Sequence, residues 1–136
     1  MSQPLVLDTG GWLYALSGEP EYADALKNAA PAIVPSPILA EVDWHLRKRR
    51  KDMQRLLREI GEGRYEYAEA TLADVTRAAE LDRKFADVGL GFVDAAVAAV
   101  AERLRVRRIL TIDSDFAAIR VGRGYREAFE LAVPLD

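Results

Sequence analysis

Four acidic residues that are distant in the chain occupy positions that an α/β fold would bring together. Asp8 and Asp113 each follow a short apolar run, and Glu41 and Asp94 each lie near the start of a helix-like stretch. Carboxylates repel one another, so four in one place are useful only if a positive charge offsets the repulsion. A hard divalent cation with oxygen ligands, Mg²⁺ or Mn²⁺, is the usual solution. The pattern therefore indicates a metal site.

Each of these carboxylates also has an ordinary structural interpretation. Asp8 and Asp113 would then be turn residues that hydrogen-bond the backbone that follows them. Glu41 would only favour the dipole of its helix, and Asp94, in an almost wholly apolar stretch, would be a helix N-cap. The same pattern after two strands favours a shared site, because sites in open α/β sheets form outside the carboxyl ends of the strands.

The roles of Asp115 and His45 stay open at this point. Asp115 follows Asp113 in a Thr-x-Asp-x-Asp pattern, and it is either a further metal ligand or a cap for the next turn. His45 lies four positions after Glu41 and shares its helix face. A partly exposed surface histidine is the favoured interpretation of His45, and a neighbour of the site is the other.

The composition excludes several classes of protein. The chain has 136 residues, of which 50% are hydrophobic, so we expect a single domain over residues 1–136. Cysteine is absent and there is one histidine, which excludes disulfides, thiolate chemistry and a zinc site with several Cys or His ligands. No apolar run approaches the roughly 20 residues that span a bilayer, and the N-terminus lacks the features of a signal peptide. We therefore expect a cytoplasmic protein without membrane association.

Positive charges are gathered in three clusters, although the net charge is −3. The clusters are Arg47-Lys48-Arg49-Arg50-Lys51 with Arg55 and Arg58; Arg103, Arg105, Arg107 and Arg108; and Arg120, Arg123 and Arg126. Each is either a solvated helix face or helix end, or a surface that holds a phosphate backbone. Three such clusters around an acidic site favour the second interpretation.

Hydrophobic periodicity predicts strands that alternate with helices. The predicted strands cover residues 5–7, 32–34, 65–68, 109–112 and 129–133. The predicted helices cover residues 12–16, 21–30, 37–46, 52–60, 71–86 and 92–104. This alternation indicates an α/β fold with a parallel sheet and helices on both faces. Glycine-rich dinucleotide and P-loop motifs are absent, as is a G-x-S-x-G nucleophile motif.

Four segments of the chain, in order and spacing, resemble the PIN-domain nucleases. They are Leu5-Val6-Leu7-Asp8-Thr9, Ala40-Glu41-Val42, Gly91-Phe92-Val93-Asp94-Ala95-Ala96 and Ile109-Leu110-Thr111-Ile112-Asp113-Ser114-Asp115-Phe116. Each segment is short, and the four in series are more specific than any one of them. The compact length is similar to that of a VapC-type toxin from a prokaryotic toxin–antitoxin pair.

The resemblance implies a PIN-like α/β/α sandwich with a central parallel sheet and an Mg²⁺- or Mn²⁺-dependent endoribonuclease activity. It implies that Asp8, Glu41, Asp94 and Asp113 are the catalytic quartet. Asp8, Asp94, Asp113 and Asp115 are the expected metal ligands, although position 115 is acidic in only some members. RNA, a cognate antitoxin protein and a second copy of the chain in a homodimer are the implied partners.

Two other functions fit the same residues. A PIN-like domain without chemistry would serve as a protein- or RNA-binding module, although all four acidic positions are filled. A metal-dependent DNA nuclease or phosphatase of similar fold would need the same carboxylates. Metal-induced thermal stabilisation that is lost in Asp94→Asn would argue against the binding module. A panel of RNA, single-stranded DNA and a small phosphate ester separates the nuclease and phosphatase alternatives.

Overall fold

The computed structural model describes residues 2–135 as strands that alternate with helices. The strands are β1 (Gln3–Leu7), β2 (Ala29–Pro35), β3 (Glu66–Ala68), β4 (Arg108–Leu110), β5 (Arg120–Val121), β6 (Glu127–Ala128) and β7 (Glu130–Leu131). The helices are α1 (Thr9–Leu16), α2 (Pro20–Lys27), α3 (Ile38–His45), α4 (Arg50–Gly61), α5 (Leu72–Lys84), α6 (Gly91–Leu104) and α7 (Asp115–Ala118). Among residues 2–135, every helix is too short or too polar to span a bilayer.

Five strands form one parallel sheet in the order β3-β2-β1-β4-β7. Helices flank this sheet, which confirms the predicted α/β/α sandwich. The chain moves outward from β1 to β2 and β3, and then returns to place β4 on the other side of β1. A reversal of this kind leaves a crevice at the carboxyl ends of the two strands. Asp8 and Asp113 follow β1 and β4, and therefore lie at this crevice.

The interior is built around β1 and α6. Leu5, Val6 and Leu7 of β1 are fully buried, as a central parallel strand covered on both faces requires. Residues 95–101 of α6 are buried without interruption, so this helix is enclosed on all sides. Five of those residues are alanine, whose small side chain permits close approach of neighbouring elements. Asp8 at the end of β1 and Asp94 in the first turn of α6 are thus attached to the best-packed parts of the fold.

Two predicted boundaries next to the site are wrong. The Thr9-Gly10-Gly11 segment, predicted as a turn, forms the first turn of α1. The strand predicted for residues 109–112 ends at Leu110, and Ile112 is exposed. The first turn of α1 packs directly against the chain that leaves β4, with Gly11 next to the Leu110 carbonyl and Gly10 next to the Ile112 side chain. Glycine permits this close approach, whereas a glycine pair in the sequence alone favours a turn.

Two side-chain predictions are also wrong. Ser36 is predicted to cap the helix that follows it, but its hydroxyl accepts a hydrogen bond from the Ala70 N–H at 2.9 Å and so ties β2 to the chain after β3. Leu72 and Val75 are predicted in the core, but both side chains are exposed on α5. The inner face of α5 is instead formed by Asp74, Ala78 and Leu81.

An ion pair between the buried Asp74 and the exposed Arg103 fixes the start of α5 against α6. Asp74 completes a capping box with Thr71 and accepts hydrogen bonds from Arg103 Nε at 3.1 Å. Burial raises the pKa of Asp74, but the hydrogen bonds from Arg103 and Thr71 and the charge of Arg103 together lower it below its ordinary value. We expect Asp74→Ala to reduce the free energy of unfolding by about 2 kcal/mol, because a cap and a charge partner are both lost. Urea unfolding should show this loss, and Asp82→Ala, an exposed change on the same helix, should show no comparable one.

Candidate metal centre

One groove at the carboxyl edge of the sheet gathers the four carboxylates that the sequence singles out. Asp8, Glu41, Asp94 and Asp113 all line it, and its volume is about 680 Å³. The four come from different elements, namely the ends of β1 and β4 and the first turns of α3 and α6. The structure therefore places together residues that are more than a hundred positions apart in the chain.

Thr111 connects the carboxylates at the ends of the two central strands. Its hydroxyl donates to Asp8 Oδ2 at 2.7 Å and accepts a hydrogen bond from the Asp113 N–H at 3.0 Å. The Asp8 N–H also donates to the Leu110 carbonyl at 2.9 Å, which continues the pairing of β1 with β4. Asp8 and Asp113 are thus held in a fixed relation by backbone and side-chain hydrogen bonds.

Glu41 is held by a second hydroxyl. The buried Thr9 donates from Oγ1 to Glu41 Oε1 at 2.7 Å and so joins α1 to α3 across the groove. The carboxylate of Glu41 is therefore fixed by the hydrogen bond from Thr9, and not only by its position in the first turn of α3. A hydroxyl donor leaves the second carboxylate oxygen free to accept another hydrogen bond or to bind a cation.

Asp94, Asp113 and Asp115 form the tightest acidic group in the described part of the chain. Each offers one carboxylate oxygen, and these three oxygens lie within 4.8 Å of one another. The Asp115 N–H donates to Asp113 Oδ1 at 2.9 Å, so Asp113 is the acceptor at this turn. Asp115 begins α7 without capping it, which leaves its carboxylate as part of the acidic group.

Burial and mutual repulsion make ionisation costly for the aspartates of the groove. Burial, partly offset by the hydrogen bond from Thr111, raises the pKa of Asp8 from 3.8 to about 6. Burial first, and then the charges of Asp8 and Asp113, raise the pKa of Asp94 from 3.8 to about 8. Burial and Asp113 also raise the pKa of Asp115. Each shift has the direction expected for carboxylates that face one another without a counter-charge.

Within residues 2–135, no lysine, arginine or histidine forms an ion pair that would supply this counter-charge. None of the ion pairs formed among residues 2–135 includes any of these five aspartates and glutamates. The donor set consists of oxygen atoms, which is the set preferred by hard divalent cations of the Mg²⁺ and Mn²⁺ class. The chemistry of the group therefore fits a divalent cation, and does not fit zinc or copper, which favour nitrogen and sulfur ligands.

Comparison with known proteins agrees with this geometry. Residues 5–122 match the family model described as PIN domain. The chain belongs to the PIN domain family. It is also 35% identical over 129 residues to Ribonuclease VapC26 of Mycobacterium tuberculosis, a match that covers 88% of this chain and 96% of the relative.

Solved structures with the same fold include proteins of toxin–antitoxin systems. VapC20 of M. tuberculosis, described as a Sarcin-Ricin loop cleaving toxin, has a TM-score of 0.68 at 20% identity and covers 93% of this chain and 99% of its own. A chain of a toxin–antitoxin complex from Klebsiella pneumoniae has a TM-score of 0.70 at 22% identity, over 85% of this chain and 92% of its own. VapBC2 of Rickettsia felis, bound to a DNA fragment from its promoter, has a TM-score of 0.68 at 22% identity, over 93% and 97%. These likenesses confirm the predicted PIN fold.

Two residues of this PIN site, Thr111 and Trp44, are not predicted as site residues from the sequence alone. Thr111, which bridges Asp8 and Asp113, is visible there only as the threonine of the Thr-x-Asp-x-Asp pattern. Trp44 lines the groove with its side chain 60% exposed, three positions after Glu41 on the same helix. That spacing is the available signal, because positions three apart share a helix face.

Asp43 and His45, two polar residues of α3, lie in different environments. His45 is exposed and also lines the groove. It is therefore both a surface histidine and a neighbour of the site. Asp43 faces away from Glu41 and pairs with Arg50 at 2.7 Å, where both side chains are about half exposed. Asp43 is therefore a suitable matched control for changes to the carboxylates of the groove.

The raised pKa values predict an unusual pH dependence for the metal-free PIN domain. In the unfolded chain these aspartates ionise near their ordinary pKa of 3.8, whereas folded Asp8 and Asp94 hold their protons to about 6 and about 8. The folded state therefore binds more protons across this interval, and the free energy of unfolding should fall as the pH rises through it. Melting curves in EDTA over this pH range should show the loss, and Asp94→Asn should make it smaller. An equal slope in the variant and in Asp43→Asn would contradict the assignment.

Proposed function

We propose that this PIN-domain protein is a divalent-metal-dependent endoribonuclease that hydrolyses phosphodiester bonds, and that it is the toxin of a type II toxin–antitoxin pair. The observation that carries the proposal is a group of mutually repelling, at least partly buried carboxylates that form no ion pair with any other described residue. The 35% identity to Ribonuclease VapC26 supports RNA as the substrate. The toxin–antitoxin proteins of the same fold support the biological context.

The proposed ligands are Asp8, Asp94, Asp113 and Asp115, for Mg²⁺ or Mn²⁺. Asp8 and Asp113 are pre-positioned by Thr111, so little ordering is required when the ion binds. When bound, a divalent cation supplies the charge that makes hydroxide available near neutral pH and offsets negative charge that develops on the phosphate. The raised pKa of Asp94 means that metal binding displaces a proton, so affinity should increase with pH.

Glu41 has a separate proposed role. Thr9 occupies one of its oxygens, and the other is available to accept a hydrogen bond from the attacking water. The hydrogen bond from Thr9 fixes the orientation of the Glu41 carboxylate before substrate arrives. A group that positions a nucleophile needs such a fixed orientation. The exposed His45 is not held by a comparable contact among the described residues, and we assign it no part in the reaction.

The remaining features of the proposal concern partners and location. We propose that residues 1–136 act as a single domain, that the chain forms a homodimer, and that a cognate antitoxin protein silences it. A cytoplasmic site of action fits an RNA substrate and a chain without cysteine. Co-expression with the protein encoded next to it, followed by co-purification and size analysis, tests these assignments together.

The direct test of the activity is cleavage of a mixed structured-RNA substrate by purified protein. We expect cutting with Mg²⁺ or Mn²⁺, no cutting with EDTA, and recovery when metal is added back. Single-stranded DNA and a small phosphate ester should be poor substrates. Metal-induced thermal stabilisation without cleavage of any of these substrates would instead indicate a metal-binding module without nuclease chemistry.

A further inference from the structure

An exposed tryptophan stands at the rim of the carboxylate groove. Trp44 follows Glu41 by three positions on α3, so it lies about one helical turn from a proposed catalytic carboxylate. Its side chain is 60% exposed, although it belongs to the lining of the same groove. Single exposed apolar residues are common on protein surfaces, but a tryptophan in the lining of a candidate active-site groove is placed to contact a ligand bound there.

Arg47 holds this tryptophan in place. Its guanidinium carbon lies 3.8 Å from the centroid of the Trp44 ring, and its Nη1 donates to the Trp44 carbonyl at 2.9 Å. The buried Leu46 anchors the backbone between them. The ring is therefore supported on one side by a stacked cation and remains largely exposed elsewhere. Tyr14 is a second exposed aromatic residue in the groove lining, but its ring packs edge-to-face on Tyr22, whereas the exposed Tyr67 and Phe92 do not line the groove.

Positive charge continues along the chain from this stacked pair. Arg47 is the first of five consecutive cations. Arg49 pairs with Asp52, whereas Lys48 and Lys51 take part in none of the ion pairs that the described residues form. The chain that follows Trp44 thus carries two lysines for which the described residues supply no acidic side-chain partner. Phosphate groups of a nucleic acid strand are a suitable partner for such cations.

We propose that Trp44, supported by Arg47, is a stacking platform for an unpaired base of single-stranded RNA, and that Lys48 and Lys51 contact the phosphates beyond it. This inference rests on the proposed function, because it names how that substrate would be held. A flat aromatic ring beside a row of cations is the arrangement by which proteins bind single strands with little sequence preference. Bases inside a duplex cannot reach such a ring, so the platform selects single-stranded loops and ends.

The test is binding of a short, labelled, mixed-sequence single-stranded RNA in EDTA, measured by fluorescence anisotropy. We expect Trp44→Ala to weaken binding about ten-fold and Trp44→Phe to retain most of it, because phenylalanine keeps a stacking face. Tyr67→Ala, which removes an exposed aromatic ring elsewhere, should bind like wild type. A change of Lys48 and Lys51 to glutamine should reduce the slope of log affinity against log salt by roughly 0.7 for each phosphate that the protein no longer neutralises.

Two further readouts separate the platform from the chemistry. Of the two tryptophans, Trp12 is buried and Trp44 is exposed. RNA stacking should therefore quench the fluorescence of Trp44 in wild type, and Trp44→Ala should show no such quenching. In cleavage assays, Trp44→Ala should raise KM and leave kcat within about two-fold, because it removes binding that is equal in the ground and transition states. Binding in EDTA is measured without cleavage, so the two proposals can fail separately. If wild type binds RNA but never cuts it, and Trp44→Ala binds more weakly, the nuclease is refuted and the platform is supported.

The opposite results overturn the platform. Equal RNA affinity of wild type and Trp44→Ala would do so, as would absence of measurable RNA binding by wild type. If Trp44→Ala instead weakened only the binding of a protein partner, the exposed ring would belong to a protein interface. Normal cleavage with unchanged KM in Trp44→Ala would refute the platform and leave the nuclease assignment intact.

Discussion

Asp94→Asn is expected to reduce metal-dependent RNA cleavage by at least about a hundred-fold and to leave the fold intact. Asp94 is in the acidic group whose oxygens lie within 4.8 Å of one another, and its ionised form is opposed by Asp8 and Asp113. Asparagine has nearly the same shape but no charge, so it removes electrostatic attraction for the cation without creating a cavity. The same change relieves repulsion in the metal-free protein, which should therefore melt at a temperature equal to or higher than that of wild type.

The opposite movement of activity and stability is what distinguishes a functional carboxylate from a structural one. A helix cap or a core hydrogen bond would lose stability when changed, and activity would then fall because less protein is folded. Asp43→Asn, on the surface of α3, serves as the matched control and should change neither quantity. Metal titrations followed by melting temperature should show stabilisation of wild type by Mn²⁺ and little stabilisation of Asp94→Asn. Wild-type cleavage rates in Asp94→Asn would contradict the assignment.

Gly11→Ala is expected to have the largest effect on stability, a loss of about 3 kcal/mol or more. Gly11 is buried in α1, and a Cβ atom there would collide with the Leu110 carbonyl group and lie 2.6 Å from the Thr111 nitrogen. These are backbone atoms of the segment that leaves β4, so no side chain can rotate to make room. Helix α1 would have to move away from β4, and Asp8 would move with it.

The consequence should appear in two measurements. The melting temperature of Gly11→Ala should fall by roughly 10 °C, given the size of the chain. The folded fraction that remains should bind metal more weakly, because the distance between Asp8 and Asp113 depends on this contact. Gly61→Ala is the control, since nothing lies within 4 Å of its added carbon at the end of α4. Unchanged stability of Gly11→Ala, or an equal loss in both variants, would contradict the role given to this contact.

The positions of the carboxylates are predictable because they depend on features that the sequence displays directly. Buried apolar runs before Asp8 and Asp113 predict parallel strands, and carboxyl ends of neighbouring strands meet at one edge. The apolar surroundings of Asp94 indicate that its charge needs a partner. Hydrophobic patterns do not establish the order of the strands, and the position of β4 beside β1 is known only from the structure.

Other features depend on contacts between distant residues and leave no periodic signal. The hydroxyl of Thr111 contacts Asp8 across 103 positions, and Thr9 contacts Glu41 across 32 positions. The exposure of Leu72 follows from the orientation of α5, which is set by the Asp74 capping box and its contact with α6. Local hydrophobicity favours burial of leucine, and the tertiary ion pair overrides it.

Hydrolysis of RNA by carboxylates and a divalent cation, with water as the nucleophile, is the central proposal for this protein. The most direct test is end-group analysis of RNA cut by wild type with Mn²⁺, alongside the same reaction in EDTA. We predict that cutting requires the metal and that water attack leaves a free 2′-hydroxyl and no 2′,3′-cyclic phosphate at the new ends. Cutting in EDTA would show that the metal is not required, and cyclic phosphate ends would show attack by the ribose 2′-hydroxyl; either result would contradict the proposal.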